Sequence, residues 1–329
     1  MAEQKEEVIK VCITGAAGQI GYSILPLFAT GQVFGVDKKV QLNLLEITPV
    51  LPALNGVRME LDDCAYPLVD EIVCTDKADV AFKDVDYAVL VGGFPRKKGM
   101  ERKDLMAKNA PIFKAMGEAI EKNAKKTVKV LVVANPANTN CLICASHAPS
   151  IPKKNFCALT RLDFNRARAQ IAQKLGVKSR DVLNVVIWGN HSATQVPDVN
   201  NATVNGKPAA EQLDAKYLKE EFIPCVQQRG KAIIEARGFS SALSAANGAK
   251  DCLRDWVNGT PDGQTVAMAV YSDGSYGIAK GLFYSFPCTA KGGEYTIVTD
   301  YKVTDEMKEL MKASEKELLE EKAEAGVKD

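Results

Sequence analysis

The amino-acid sequence predicts an α/β protein in which a doubly wound parallel sheet precedes an α+β domain. Three observations support this expectation. A run of β-branched residues, a glycine-rich turn and an apolar helical pattern follow one another over residues 8–28. Short, wholly apolar runs then alternate with helical patterns, which is typical of parallel strands covered on both faces. The chain has 329 residues, which is too many for one ordinary core and suits two domains.

The glycine-rich turn predicts a phosphate-binding site of the Rossmann type. Three glycines spaced three residues apart follow the first strand directly. Gly15 can adopt turn conformations closed to residues with a Cβ, and Gly18 lets a pyrophosphate approach the backbone. The free N–H groups at the start of the helix then point at the phosphates. The predicted phosphate-binding residues are Gly15, Ala16, Ala17, Gly18, Gln19, Ile20 and Gly21.

The second strand candidate, residues 40–45, ends at Glu46. A carboxylate at this strand tip can accept hydrogen bonds from both ribose hydroxyls of an adenosine, and it repels a 2′-phosphate. Glu46 therefore predicts NAD rather than NADP as the cofactor. The alternative is a surface glutamate that precedes the turn at Pro49.

The rest of the first half continues the alternation of strands and helices. The predicted strands are 71–75, 87–93, 128–134 and 155–159, and the predicted helices are 53–64 and 103–123. A basic loop, residues 94–103, follows the carboxyl end of a strand, where ligands bind in open α/β sheets. This loop is well placed to hold an anion, although most charge runs are simply solvated.

The second half of the chain differs in character. A strand at 182–188 precedes the segment 189–192, and helices are expected at about 212–238, 240–257 and 304–323. Further β-rich stretches occur near 265–270 and 283–298. The chain therefore divides into a predicted NAD-binding Rossmann domain, 1–157, and a catalytic and substrate-binding α+β domain, 158–329.

One of the chain's 2 histidines is a candidate for proton transfer. His147 stands near a helix end, which is ordinary capping or surface chemistry. His191 follows a strand and a glycine turn, a position that holds an imidazole at a crevice. Asp163 could fix its tautomer and stabilise the imidazolium, leaving the other ring nitrogen to exchange a proton with substrate. Sequence alone leaves open whether the two side chains meet.

Composition excludes several other functions. The chain carries 42 Lys and Arg against 41 Asp and Glu, so no global charge recruits nucleic acid or an anionic membrane. The longest apolar runs are strand-sized, and the polar amino terminus is unlike a leader peptide, so a cytoplasmic location is expected. The 9 cysteines are expected to be reduced. Cys141 and Cys144 read as the interior of a helix, and no metal is predicted.

Six motifs in order along the chain carry a family resemblance. They are residues 11–21, 44–49, 93–105, 134–140, 160–163 and 188–192. Together they resemble the cytosolic malate dehydrogenases of the lactate/malate dehydrogenase superfamily, over nearly the whole chain. Lactate dehydrogenases typically have glutamine where Arg96 stands, so Arg96 favours malate.

The resemblance implies a role for each site residue. His191 is the proton acceptor, and Asp163 is its orienting partner. Arg166 holds the C1 carboxylate of the substrate, since a guanidinium binds a carboxylate through two hydrogen bonds. Arg96 pairs with the C4 carboxylate and Arg102 polarises the C2 oxygen, both from a loop expected to close over the ligand.

The resemblance also completes the cofactor site and the biological setting. Asn135 contacts both substrate and nicotinamide, while Asn109 and the backbone of Val133, Ala134 and Asn135 complete the NAD site. The implied protein is a cytoplasmic homodimer that serves the tricarboxylic acid cycle and the malate–aspartate shuttle. Its implied reaction is the reversible oxidation of (S)-malate to oxaloacetate by NAD⁺.

Three alternatives stay open at this stage. The chain could act on another 2-hydroxy acid, or it could be a catalytically silent NAD-binding interaction protein. An extended short-chain dehydrogenase would also use this glycine spacing with a Tyr-x-x-x-Lys pair, which Tyr276 and Lys280 supply. That pair lies among glycines, so we expect a loop there. Two departures from the family, Met116 for glutamine and Gly248 inside a helix, do not touch the proton-transfer pair.

Overall fold

The computed structural model describes residues 8–95 and 100–327. Within these ranges the chain forms ten α-helices and three β-sheets. The helices are α1 (Gln19–Ala29), α2 (Leu51–Cys64), α3 (Ala78–Ala81), α4 (Arg102–Asn123), α5 (Ala137–Ser146), α6 (Arg161–Leu175), α7 (Ala215–Tyr217), α8 (Ile223–Arg237), α9 (Leu243–Asn258) and α10 (Asp305–Glu324). None of the helices in the described part of the chain is long and apolar enough to cross a bilayer.

The strands assemble into one large sheet and two small ones. The strands are β1 (Ile9–Thr14), β2 (Val40–Leu45), β3 (Val69–Thr75), β4 (Tyr87–Leu90), β5 (Lys129–Val132), β6 (Phe156–Ala158), β7 (Val182–Leu183), β8 (Val186–Trp188), β9 (Val196–Asp198), β10 (Thr203–Val204), β11 (Lys207–Pro208), β12 (Val266–Tyr271), β13 (Phe283–Lys291) and β14 (Glu294–Ile297). Among the described residues the large sheet has the order β14-β13-β12-β6-β5-β4-β1-β2-β3. Its last six strands, from β6 to β3, pair in parallel, and β12 to β14 extend it antiparallel.

Both faces of the parallel strands are buried, which confirms the predicted doubly wound α/β class. Val11 and Ile13 of β1 pack in the cluster that includes α1. Cys12, between them in sequence, packs on the other side in the cluster with α4 and α5. Successive side chains of a strand point to opposite faces, so a strand buried on both sides reads as a continuous apolar run.

The sheet order determines where a ligand can bind. Strand β1 lies between β2 and β4, so the order reverses at the β1–β4 pair. In open α/β sheets the crevice beyond the carboxyl ends of the strands at such a reversal is the ligand site. The predicted domain boundary at 157/158 lies within β6, and the large sheet runs on through both halves of the chain.

Two predicted elements are wrong in detail. The strand expected at 182–188 is two strands in different sheets, β7 and β8, because Asn184 has φ 57° and breaks the extended run. The helix expected at 212–238 consists of α7, a π-helical segment (Leu218–Phe222) and α8, after Asp214 caps α7 by accepting from the Lys216 N–H. Neither difference moves the carboxyl ends of the parallel strands.

Candidate active site

The glycine-rich turn has the close contacts that its sequence predicts. Gly15 has φ 66°, and a Cβ on it would lie 2.6 Å from Gly92 Cα. A Cβ on Gly21 would lie 2.3 Å from Gly15 O, so only glycine lets α1 approach the strand. A Cβ on Gly18 would meet only Gly15 O, at 3.2 Å, among the described atoms within 4 Å. The turn therefore leaves an open face at Gly18, at the N-cap of α1.

Glu46 lies directly beside this turn. The Ala17 N–H donates to Glu46 Oε1 at 3.0 Å, although 29 residues separate them. The side chain therefore projects from the tip of β2 toward the start of α1. A carboxylate at this position suits the ribose hydroxyls of the adenosine in NAD. The open turn at the helix N-terminus suits the pyrophosphate.

Asn109 connects the tips of β4 and β5. It is fully buried, its Oδ1 accepts from the Phe94 N–H at 2.7 Å, and its Nδ2 donates to Asn135 O at 2.9 Å. The N–H groups of Val133 and Ala134 both donate to Leu90 O. The side chain of Asn109 thus holds Asn135 beside the segment that follows β4.

His191 and Asp163 meet, as the spacing alone could not establish. His191 Nδ1 is hydrogen-bonded to Asp163 Oδ2, and Asp163 is completely buried while the His191 side chain is 18% exposed. Since a carboxylate only accepts, Nδ1 carries the proton in this pair. Nε2 is then the nitrogen available to accept a proton from a substrate hydroxyl.

Further donors keep Asp163 ionised. Arg166 Nη1 lies 3.0 Å and Gln195 Nε2 lies 3.4 Å from Asp163 Oδ1. Burial alone would raise the pKa of Asp163, but His191, Arg166 and Gln195 outweigh it, so the pKa of this carboxyl lies below its usual value. Asp163 therefore stays negative and can stabilise an imidazolium at His191.

Arg166 retains an unused donor. Its Nη2 contacts Ser241 Oγ at 3.2 Å, whereas its Nε is buried and has no partner among residues 8–95 and 100–327. A buried polar atom without a partner is unfavourable, which indicates a site prepared for an acceptor. A substrate carboxylate is the acceptor that suits a guanidinium.

Several residues that the sequence analysis did not predict as site residues hold the loop that carries His191. Asn138 Oδ1 accepts from the His191 N–H at 3.0 Å, and Ser314 Oγ accepts from the Asn190 N–H at 2.8 Å. Glu317 accepts from Asn190 Nδ2 at 2.8 Å and also from Ser192. Asn138 belongs to the motif at residues 134–140. Helix α10 contacts this loop across more than a hundred residues, and no local sequence pattern could reveal that contact.

The structure describes only one of the two loop arginines, Arg102. Arg96 lies outside the described residues, so its predicted contact with a second carboxylate stays a prediction. Arg102 is described, and its Nε is hydrogen-bonded to Glu321 of α10. No described contact joins Arg102 to His191, Asp163 or Arg166.

Two other candidate sites lack the required chemistry. Tyr276 has φ 57° in a short turn, Ser275–Gly277, and its hydroxyl donates to Val298 O at 2.6 Å. It therefore does not lie on the catalytic helix that a short-chain dehydrogenase needs. Cys141 and Cys144 are buried inside α5, and burial raises the pKa of Cys144 to about 12. No group of three metal-ligating side chains occurs in the described part of the chain.

Comparisons with known proteins cover the whole described fold. Residues 9–157 match the family model of the lactate/malate dehydrogenase NAD binding domain, and residues 160–328 match that of the lactate/malate dehydrogenase alpha/beta C-terminal domain. The cytoplasmic malate dehydrogenase of Zea mays is 55% identical over 322 residues, 96% of this chain and 97% of that protein. The cytoplasmic malate dehydrogenase of Homo sapiens is 55% identical over 325 residues, 97% of each chain.

Solved structures agree with the sequence matches. Malate dehydrogenase from Naegleria fowleri superposes with a TM-score of 0.93 at 46% identity, covering 97% of this chain and 98% of that one. Trichomonas vaginalis lactate dehydrogenase in complex with NADH and oxamate gives a TM-score of 0.93 at 41% identity, covering 96% of this chain and 98% of that one. The architecture is thus found around both malate and lactate chemistry.

Proposed function

The chain belongs to the lactate/malate dehydrogenase family, and from that premise we propose that it is an NAD-dependent malate dehydrogenase. The proposed reaction is the reversible oxidation of (S)-malate to oxaloacetate. The observation that carries the proposal is the His191–Asp163–Arg166 cluster, in which a proton acceptor and a carboxylate anchor share one buried aspartate. Relatives more than half identical over nearly their full length are named cytoplasmic malate dehydrogenase, and we propose the same location.

Each residue of the cluster has a separate step in the proposed mechanism. When bound, NAD⁺ would supply the acceptor for the hydride that leaves C2 of malate. Arg166 binds the C1 carboxylate through its unused Nε and a terminal nitrogen, and so orients C2. His191 Nε2 accepts the proton of the C2 hydroxyl, and Asp163 stabilises the imidazolium that results. In the reverse direction His191 returns that proton to the C2 oxygen.

The cofactor site is proposed to use the turn and the strand tips. The open face at Gly18 and the start of α1 suit the pyrophosphate, with residues Gly15–Gly21 around it. Glu46, already beside Ala17, suits the ribose hydroxyls and opposes a 2′-phosphate. Val133, Ala134 and Asn135 suit the nicotinamide, and Asn109 supports them by its contact with Asn135.

Substrate choice rests on a second cationic anchor. Malate has two carboxylates, and a monocarboxylate would leave one arginine without its partner, which costs about 1–3 kcal/mol. Arg96 is the residue proposed for this anchor, and Arg102 is proposed to polarise the C2 oxygen. Lactate dehydrogenase is the second candidate function, because a lactate dehydrogenase shares this fold at 41% identity.

One steady-state experiment tests cofactor and substrate together. NADH oxidation is measured with oxaloacetate and with pyruvate, and both are repeated with NADPH. Strong preference for oxaloacetate and NADH is expected. A preference for pyruvate would transfer the proposal to the lactate candidate, and inactivity with both acids would favour the silent NAD-binding alternative.

We also propose that the protein is a homodimer. Tyr22, Met59 and Leu243 are 49%, 65% and 79% exposed. They belong to α1, α2 and α9, which are neighbours: α1 packs on α9, and Tyr22 is hydrogen-bonded to Glu60 of α2. We call this surface the three-helix face. A second copy of the chain would remove these apolar side chains from water.

A further inference from the structure

Arg102 has a partner in the structure that its proposed role does not explain. It begins α4, where Glu101 and Asp104 form a capping box that sets the direction of the helix. From there its Nε is hydrogen-bonded to Glu321, with side-chain exposures of 30% and 8%. Arg102 Nη2 is buried and lacks a partner within residues 8–95 and 100–327. The guanidinium is therefore hydrogen-bonded to Glu321 through Nε, while Nη2 remains as a donor.

Glu321 connects three segments that surround the candidate site. Besides Arg102, it accepts from Thr139 Oγ1 of α5. It also accepts from Asn190 Nδ2 at 3.3 Å, and Asn190 precedes His191. A single buried carboxylate thus contacts the start of α4, the start of α5 and the loop that carries the proton acceptor.

Releasing Arg102 from Glu321 costs free energy, but the other two donors to Glu321 limit that cost. A buried carboxylate is stable only when it is paired and hydrogen-bonded, so separating Arg102 from Glu321 is unfavourable. Thr139 and Asn190 would still donate to Glu321 after Arg102 left, which limits that penalty. Arg102 Nη2, which has no partner within residues 8–95 and 100–327, forms no contact that would oppose the release of the guanidinium.

We propose that Glu321 is a positioning residue that holds Arg102 in the substrate-free enzyme and releases it to the C2 oxygen of the 2-oxo acid. This inference rests on the proposed function, in which Arg102 polarises that oxygen. Since substrate must draw Arg102 from Glu321, only the fraction of enzyme with Arg102 released binds productively. The apparent affinity is reduced by that fraction, so Glu321 sets the KM for oxaloacetate.

Glu321→Gln tests the exchange directly. The amide oxygen can still accept from Asn190 and the amide NH2 can donate to the Thr139 hydroxyl, but the side chain has no charge to hold Arg102. The KM for oxaloacetate is expected to fall by about 3- to 10-fold, with a matching rise in kcat/KM. Glu324→Gln is the matched control, because it removes an exposed carboxylate from the same helix, and its KM should equal that of the wild type. A merely structural Glu321 would instead give a lower kcat and a higher KM.

A double mutant separates the holding of Arg102 by Glu321 from any other effect of the Glu321 substitution. In an Arg102→Gln background, Glu321→Gln should leave KM unchanged, because no cation remains to be released. If Glu321→Gln does not fold, Glu321→Asp keeps the charge on a shorter side chain, and a fall in KM of about twofold is expected. An unchanged or raised KM in the soluble variant, or an equal fall in the Arg102→Gln background, would overturn the inference. Wild-type enzyme inactive with oxaloacetate would instead overturn the proposed function itself.

Discussion

The Asp163 carboxylate accepts from His191, Arg166 and Gln195 at once. Each donor favours the ionised form, and together they outweigh the effect of complete burial on the pKa. The same carboxylate fixes the tautomer of His191 and the position of Arg166. In the proposed mechanism a single buried charge therefore links proton transfer to the binding of the substrate carboxylate.

Replacement of the proton acceptor should separate chemistry from binding. His191→Asn is expected to lower kcat for oxaloacetate by at least about 100-fold, because general acid–base catalysis contributes that much or more. The dissociation constant for NADH, measured by fluorescence titration, should stay close to the wild-type value. His147→Asn is the control, because His147 lies at the end of α5, where its Nδ1 is hydrogen-bonded to Ile143 O at 2.9 Å. A near-normal rate in His191→Asn would contradict the mechanism.

The lowered pKa of Asp163 predicts how stability depends on pH. The unfolded carboxyl has the higher pKa, so Asp163 contributes stability above about pH 4 and loses it as the pH falls through its lower native pKa. Wild-type protein should therefore lose more unfolding free energy between about pH 5 and pH 3 than Asp163→Asn does. Urea denaturation across this range measures both slopes. Equal slopes would show that the native pKa is not lowered.

At the scale of elements, α4 and α5 approach each other unusually closely. A Cβ on Gly117 of α4 would lie 2.4 Å from Cys144 O and 2.9 Å from His147 Cβ. The backbone of α5 cannot move aside without shifting Asn138 and Thr139, which contact the His191 loop and Glu321. The close approach of these two helices therefore helps to position the site.

Gly117→Ala should destabilise the protein although alanine favours helices. Helix propensity alone predicts a gain of about 1 kcal/mol, whereas the contact with backbone predicts a net loss of about 1–3 kcal/mol. Ala115→Gly, at an exposed position in the same helix, should cost about 1 kcal/mol through propensity alone. Gly117→Ala and Ala115→Gly, although opposite in kind, should thus both lower the midpoint of thermal unfolding. Stabilisation by Gly117→Ala would refute the close packing.

Elements show what sequence could and could not predict. The parallel strands were recognisable because burial on both faces leaves continuous apolar runs. The break at Asn184 was not, because the flanking residues are equally apolar and only its positive φ separates β7 from β8. Gly248 looked unfavourable in a helix, but a Cβ there would lie 3.1 Å from Leu162 N, so it allows α9 to approach α6.

At the scale of the whole molecule, the three-helix face predicts self-association. Met59→Asp should place a charge in the proposed dimer interface and reduce the mass in solution from twice 35.6 kDa toward 35.6 kDa. Sedimentation equilibrium measures this change. Val36→Asp is the control, because Val36 is 80% exposed but lies outside α1, α2 and α9. A wild-type monomer would exclude the dimer.

The residues proposed to react stand in recognisable sequence patterns, whereas the residues that hold them in place do not. His191 and Asp163 belong to local motifs whose chemistry is recognisable, and Arg166 follows Asp163 by three residues on the same helix. Gln195, Ser314, Glu317 and Glu321 act through contacts with segments that are distant in sequence. Contacts of this kind depend on tertiary packing, for which a single sequence offers no local pattern.

The hydrogen bonds that Ser314 and Glu317 accept from the His191 loop also affect when the site can form during synthesis. A ribosome adds about 5–20 residues per second, from the amino terminus. The cofactor turn, Asp163 and His191 are all synthesised well before α10 (Asp305–Glu324). A nascent chain that already contains these groups therefore still lacks the helix that holds the loop of His191. Translation must pass α10 before the enzyme can begin to work.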